Sequence, residues 1–239
     1  MRAKSSNYSP PLDALRFFAF LAVFIHHFPV PESWTLAVTV KNYGWGGVDL
    51  FFVISSYLLF RLLDSEYEKA GTISARNFYI RRLLRIYPLM VGFPILMLAI
   101  YGAKDWTSAL TRLAGLAMFS DNFISWFANY NKATPFSAHL WTLSFEFQVY
   151  LAIPAAFAAW KKMGERKFLI LLGTILAWCI ALRVVFELAG AGHPVVWVTP
   201  FLRPDSVIFG LAIAVVKPRW HWLWSAIVAR RASMRSAIS

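Results

Sequence analysis

The sequence has almost no cysteine and lacks the common short catalytic motifs. Cys179 is the single cysteine of the 239-residue chain, which excludes an intrachain disulfide and any zinc site made of cysteine thiolates. There is no HExxH zinc motif, no GxSxG nucleophile elbow and no Walker phosphate-binding loop. Because each motif is the sequence sign of a particular chemistry, we expect no metal site and no nucleotide-binding fold.

Charged residues of either sign are also scarce, and hydrophobic residues take their place. The chain is 59% hydrophobic and 15% charged, whereas a soluble domain has only about 45–50% apolar residues. Its 24 Lys and Arg outnumber its 12 Asp and Glu, and they cluster at the ends of apolar runs, as in membrane proteins. We therefore predict an all-α, polytopic transmembrane helix bundle that contacts membrane lipid and binds no nucleic acid.

The apolar runs predict about six to seven spans within a transmembrane domain of residues 12–216. The clear spans are residues 12–29, 46–63, 86–101, 139–160, 168–189 and 196–216. Residues 1–11 form a basic lead-in that is predicted to be cytoplasmic, and residues 217–239 form a basic, Trp-containing tail or the start of a further helix. Residues 64–85 hold the densest basic cluster, which predicts a cytoplasmic loop.

Residues 102–138 leave the number of spans open. Their apolar run covers only about 11 residues, and a span needs about 17–25. If this segment crosses the membrane, the basic loop 161–167 lies outside; if it is re-entrant or interfacial, that loop lies inside. We prefer the second interpretation, because it places the N-terminus, residues 64–85 and residues 161–167 all on the cytoplasmic side.

The first predicted span carries ionisable residues that are costly in a bilayer. Eleven residues separate Arg16 from His27, so on a helix the two side chains share a face about 16 Å apart. Asp13 lies one turn before Arg16 and can pair with it, whereas His26 points about a quarter-turn away from His27. Alternatively, Asp13 and Arg16 are anchors at the headgroup level and His27 lies near the opposite surface.

Three arginines form a second candidate group, at the cytoplasmic start of a helix. Arg81, Arg82 and Arg85 are three and four residues apart, so their guanidinium groups lie on adjoining faces and suit bidentate binding of phosphate oxygens. The alternative is an orientation signal that also touches anionic lipid head groups.

Further polar residues lie within other predicted spans. Glu146 is surrounded by aromatic and aliphatic residues, and helical spacing places it on one face with His139, Thr142 and Tyr150. A buried pair or a functional role is the expectation for such a carboxylate. The remaining members of the predicted polar pocket are Asp49, Arg203 and Asp205, of which the last two form an internal salt bridge or join the same pocket.

Five segments, in order and approximate spacing, resemble acyltransferase family 3. These are integral-membrane enzymes that move acyl groups, usually acetyl, onto sugars of bacterial surface polysaccharides and related acceptors. The segments cover roughly residues 12–212 and read LDALRFFAFLAVFIHHF, GVDLFFVISSYLL, RRLLRIYP, HLWTLSFEFQVYL and RPDSVIFG.

The resemblance implies roles for individual residues. The Arg-then-His signature of the family falls on Arg16 and His27, and its essential glutamate falls on Glu146. His27 would act as general base on an acceptor hydroxyl or relay the acyl group, Arg16 would support that site, and Glu146 would position a catalytic partner. The arginine cluster of the family falls on Arg82 and Arg85, which would hold CoA phosphates, and its Arg-x-Asp motif falls on Arg203 and Asp205.

The resemblance also implies the substrates and the location. The donor would be acyl-CoA, in particular acetyl-CoA, and the acceptor would be a carbohydrate or lipid-linked glycan. The protein would lie in the bacterial inner membrane with its N-terminus in the cytoplasm.

The sequence departs from the family pattern at three positions. Ser56 stands where the family usually has glycine, and Phe147 and Val149 replace a glutamate and an aromatic residue. The family bundle has roughly ten helices, which need well over ~300 residues, so the chain is expected to be truncated at its C-terminus.

Two rival functions remain open from the residues alone. Buried charges also line the translocation paths of membrane permeases and polysaccharide exporters. A non-catalytic, truncated relative of the enzymes is the second rival.

Overall fold

The computed structural model describes residues 10–29, 31, 33–124, 126 and 134–216, and the regular structure in these residues is helical. Most of the predicted lead-in, residues 1–9, and the whole predicted tail, residues 217–239, lie outside this part. The helices are α1 (Pro10–His27), α2 (Thr35–Tyr43), α3 (Gly46–Ala70), α4 (Ala75–Tyr101), α5 (Trp106–Ala117), α6 (Asp121–Ile124), α7 (Trp141–Met163, preceded by a 3-10 turn at Ala138–Leu140), α8 (Glu165–Leu188), α9 (Val195–Val198) and α10 (Asp205–Val216).

The predicted all-α membrane bundle is confirmed. Four helices of the described residues are long and apolar enough to cross a membrane, namely α3, α4, α7 with its 3-10 turn, and α8. The first predicted span corresponds to α1, which has 18 residues. The last predicted span corresponds in part to α10, a shorter apolar helix.

Two helices extend well beyond the predicted spans. Helix α3 continues past residue 63 to Ala70, where Gly71 adopts a left-handed conformation and donates its N–H to Tyr67. Helix α4 begins eleven residues before the predicted 86, because the Ser74 side chain caps it by accepting from the backbone N–H of Asn77. Hydropathy marks only the apolar part of a helix, and caps decide where the helix ends.

The last predicted span, residues 196–216, is not one continuous helix. Residues 199–204 are not helical and separate α9 from α10. Thr199 Oγ1 donates to the carbonyl of Val195, and Pro204 lies directly before α10. Proline restricts the preceding residue to extended backbone, so a continuous helix through this stretch is not formed.

Close approach of α3 to its neighbours depends on two glycines. Gly47 packs against the carbonyl of Ala19 on α1, and Gly210 packs against Val53 and Ser56 on α3. Neither position has room for a Cβ atom. Small residues allow such close packing between membrane helices. Ser56 fits beside Gly210 because its hydroxyl is bonded to the carbonyl of Phe52 at 2.7 Å.

Residues 64–85 and 161–167 lie at one end of the bundle. Asp64 near the end of α3 accepts from Lys161 Nζ at 2.9 Å and from Arg61 at 2.6 Å. The Lys161 ammonium also lies 4.2 Å from the ring centre of Trp160. Helix α1 runs antiparallel to α3, since its second half packs on the start of α3. The start of α1 therefore lies at this same end, which we call the basic end.

The described part of segment 102–138 lies at the opposite end and contains no helix of spanning length. Asn122 on α6 donates to the carbonyl of Val198 on α9 at 3.0 Å. Trp126 Nε1 donates to Thr199 Oγ1 at 3.0 Å. These contacts fit the re-entrant or interfacial interpretation, and the end they form is called the capped end.

A buried ion pair holds this cap together. Arg112 on α5 donates to Asp121 at 3.1 Å, to the hydroxyl of Thr134 at 3.1 Å and to the carbonyl of Ser137 at 2.6 Å. Both charged side chains are fully buried. Burial raises the pKa of the Asp121 carboxyl, and the adjacent Arg112 cation opposes that rise. The four groups satisfy one another, as buried charges require.

We predict that Arg112→Met strongly destabilises the protein. The substitution leaves the Asp121 carboxylate buried without its cation, a loss of about 3–5 kcal/mol in the free energy of unfolding. Thermal unfolding in detergent measures the effect, with the exposed Lys104→Ala as control. The double variant Arg112→Met/Asp121→Asn should lose less than Arg112→Met alone, because no charge remains buried. Equal stability of Arg112→Met and the wild type would contradict a buried pair.

The two ends of the bundle predict opposite labelling from outside the cell. A cysteine at the exposed Lys104, in a Cys179→Ala background, should react with a membrane-impermeant maleimide in intact cells. A cysteine at the exposed Lys162 should react only after permeabilisation, because the basic end is expected in the cytoplasm. Labelling of position 162 in intact cells would show that the orientation is inverted or that residues 102–138 contain an additional span.

Candidate active site

A cleft of about 1850 Å³ lies between α1, α3, α4 and α7. It brings together polar side chains that are up to 180 positions apart in the sequence, from Asp13 to His193. The predicted site residues that line it are Asp13, Arg16, His27, Arg82, Arg85, His139 and Glu146. His26, Thr142 and Tyr150 line it as well. The cleft is therefore the candidate active site.

Helix α1 contributes to both ends of the cleft. Arg16 Nη1 donates to Asp13 at 3.2 Å, so the pair predicted from spacing is present. His27 lies three turns further along the helix and is exposed. His26 also lines the cleft, although its Nδ1 lies 2.7 Å from the carbonyl of Lys41 on α2. That contact ties α1 to α2, so His26 has a structural partner.

The middle of the cleft carries one carboxylate and two arginines. Tyr150 Oη donates to Glu146, one turn away on α7. Arg82 and Arg85 on α4 lie close enough to Glu146 to interact with it electrostatically. The Arg82 guanidinium lies 6.0 Å from the ring centre of Tyr150, and its buried Nε has no hydrogen-bond partner among the described residues. Arg85 is exposed to the cleft. The middle of the cleft can therefore bind anionic oxygens.

Histidines line the cleft towards the capped end. His139 lies in the 3-10 turn before α7, and its ring centre lies 5.9 Å from that of Phe93 on α4. His27 interacts electrostatically with His139 across the cleft. Thr142 Oγ1 donates to the His139 carbonyl at 2.8 Å. The common face that we predicted for His139, Thr142, Glu146 and Tyr150 is the wall of the cleft.

Arg81 does not line the cleft, unlike the other two arginines of its group. Its guanidinium lies 3.9 Å from Glu66 on α3, and its side chain is largely exposed. The α-helical spacing explains the difference, because Arg81 and Arg85 differ by about 40° around the helix axis and Arg81 falls on the side that meets α3.

Of the two alternatives for Arg203 and Asp205, a salt bridge between them is not formed. Arg203 Nη2 donates to Asp49 on α3, and Asp205 accepts from Arg183 on α8. Residues two positions apart do not face each other at the start of a helix, so each finds a partner on another helix. Ser206 Oγ also donates to Asp49, at 2.8 Å. Asp49, Arg203 and Asp205 border the cleft without lining it.

Sequence reasoning missed three residues around this cluster. Trp45 and Trp197 line the cleft and pack against the Arg203 guanidinium, at 5.3 Å and 4.1 Å from their ring centres. Arg183, which also donates to the carbonyl of Leu202 at 2.9 Å, was visible as a lone cation within an apolar run. No comparable signal marked the two tryptophans, since tryptophan is common at membrane interfaces.

Comparison with known proteins supports the resemblance seen in the sequence. The chain is 29% identical over 226 residues to the peptidoglycan O-acetyltransferase OatA of Listeria monocytogenes, a match that covers 90% of this chain and 35% of the relative. It is 28% identical over 230 residues to the YrhL protein of Bacillus subtilis, which is named for the same activity, with 91% and 34% covered. A Staphylococcus aureus protein named for O-acetyl transfer is 33% identical over 172 residues, which cover 63% of this chain and 25% of the relative.

The chain thus spans about a third or less of the length of these relatives. No solved structure matches it. The acyltransferase domain model of acyltransferase family 3 matches residues 10–236. This match includes every helix that forms the cleft, and the chain therefore belongs to acyltransferase family 3.

Proposed function

We propose that this chain is a membrane O-acyltransferase that moves an acetyl group from acetyl-CoA to a carbohydrate hydroxyl. One observation carries the proposal: the same cleft is lined by arginines that suit phosphate binding and by histidines that suit proton transfer. Two of the relatives are named for peptidoglycan O-acetylation, which supports a carbohydrate acceptor. Membership of an acyltransferase family favours this function over a permease.

The donor would enter from the basic end. Arg82 and Arg85 lie in the first half of α4, which begins at that end. The unpartnered Nε of Arg82 and the exposed guanidinium of Arg85 are available to phosphate oxygens. The positive-inside rule would place the basic end in the cytoplasm, where acyl-CoA is made, with the chain in the bacterial inner membrane.

The reaction transfers one acyl group and one proton. His27 removes the proton from the acceptor hydroxyl while its oxygen attacks the thioester carbonyl carbon of the donor. The new ester C–O bond forms, the C–S bond breaks, and the departing CoA thiolate receives the proton from His27. The products are an O-acyl sugar and CoA. A histidine suits both steps because its ordinary pKa is close to neutrality.

The remaining cleft residues support this reaction. Arg16 lies on the same face as His27 but three turns away, so its positive charge supports the site through the electrostatic field along the cleft and not by contact with the reacting oxygen. Glu146 holds the Tyr150 hydroxyl and balances the two arginines. That balance keeps the arginines oriented towards the cleft in the absence of the donor.

The donor site predicts that Arg85→Ala raises the Kd for CoA about ten-fold or more, because a charge-assisted phosphate contact is lost. The Kd of Arg85→Lys should lie between those of wild type and Arg85→Ala, since lysine keeps the charge without the bidentate fork. Arg81→Ala is the matched control, as Arg81 lies on the same helix but outside the cleft. Equal CoA affinity for wild type and Arg85→Ala, measured by calorimetry in detergent, would leave the arginines as topology signals.

The catalytic site predicts different outcomes for two adjacent histidines. His27→Ala should abolish transfer of labelled acetyl from acetyl-CoA to a membrane glycan fraction, whereas His26→Ala should retain most of it. His26→Asn, which can keep a hydrogen bond to Lys41, should retain more still. The assay uses the complete protein in membranes, with expression matched between variants.

Other results of this comparison would change the mechanism. If His26 is the essential residue, the shared-face argument for Arg16 and His27 fails. If neither histidine matters in an active preparation, the base mechanism is wrong. An acetyl group found on His27 by mass spectrometry would show a relay in place of direct base catalysis.

A further inference from the structure

We propose that Trp45 and Trp197 form the subsite for a sugar ring of the acceptor. This inference rests on the proposed function, because it names where the carbohydrate lies relative to His27. The two indole rings lie at the capped end of the cleft with their centres 4.8 Å apart and their planes at 85°. Both line the cleft, and 38% of Trp45 and 36% of Trp197 remain exposed.

Both indole rings are held in place by Arg203. The Arg203 guanidinium lies 4.1 Å from the ring centre of Trp197 and 5.3 Å from that of Trp45. Arg203 is itself held by Asp49, which also accepts from Ser206 at 2.8 Å. Stacking of arginine on aromatic faces is stabilising where the charge is partly desolvated. The ion pair outside the cleft therefore fixes an aromatic surface inside it.

The tryptophan pair lies beside the histidines. Gly44, the residue before Trp45, packs against the carbonyl of Ala22 and the Cβ of His26, with no room for a side chain. This close approach places Trp45 next to the last turn of α1. A ligand on the tryptophans is thus at the histidine end, and the arginines of the donor site are in the middle of the cleft.

A carbohydrate fits this arrangement better than a lipid does. A pyranose ring has an apolar C–H face that packs on an indole ring and a rim of hydroxyl groups that need polar partners. The tryptophans offer the apolar surface, their N–H groups can donate hydrogen bonds, and His27 lines the same cleft as the base for a rim hydroxyl. An ordinary interfacial tryptophan would instead face lipid without a charged group stacked on it.

The test measures binding of two probes to the complete protein in detergent. Tetra-N-acetylchitotetraose serves as the sugar probe and CoA as the donor probe. Trp45→Ala/Trp197→Ala should raise the Kd for the tetrasaccharide about ten-fold or more, while the matching double phenylalanine variant stays within about three-fold of wild type. Trp106→Ala is the control, because Trp106 is exposed near the capped end and does not line the cleft.

Each result decides the proposal. Unchanged CoA affinity with weakened sugar binding supports it. Equal sugar binding by wild type and the double alanine variant, no binding of the sugar by wild type, or an equal loss in Trp106→Ala overturns it. If the alanine variant loses CoA as well, the phenylalanine variant decides, since retained sugar binding supports the subsite and lost sugar binding overturns it. Failure of wild type to bind CoA would instead contradict the donor half of the proposed function.

Discussion

The structure depends on one constraint: a charged side chain inside an apolar bundle needs either a partner or water. Ten of the described ionisable residues satisfy it by pairing, one pair within a single helix and four between segments far apart or on different helices. The pairs are Asp13 with Arg16, Asp49 with Arg203, Asp64 with Lys161, Arg112 with Asp121, and Arg183 with Asp205. Arg82, Arg85 and His27 instead face the cleft. The cost of burying a charge is several kcal/mol even after relaxation, so a charge that faces a cleft marks where polar ligands can bind.

The scaffold and the site are connected through the same contacts. The Asp49–Arg203 pair joins α3 to the segment before α10, and it also fixes the two tryptophans at the capped end of the cleft. The Arg112 network closes the cap from which His139 reaches the cleft. At the other end, the contact of Asp64 with Lys161 keeps α3 and α7 together. Each end of the cleft is thus set by a charge pair that does not itself line it.

Local spacing predicted the contacts that form within one helix. The Asp13–Arg16 pair and the common wall of Glu146 and Tyr150 both follow from 3.6 residues per turn. Spacing failed where the partner lies on another helix, as for Asp205, which binds Arg183. It failed again for Arg81, which the same periodicity allowed near the cleft and which packs towards Glu66. Hydropathy did not locate the ends of α3 and α4, because these depend on Gly71 and on the cap by Ser74.

The sequence by itself determined that the chain is an all-α membrane bundle, which family it belongs to, and which helix faces carry charge. These properties depend on composition, on helical periodicity and on motifs in order, all of which are local or additive along the chain. Only the tertiary structure decided which charges pair and which face the cleft, and that Trp45 and Trp197 meet over Arg203. Pairing between helices depends on their order and rotation in the bundle. Those are fixed by packing between residues far apart in sequence, such as Gly210 against Ser56.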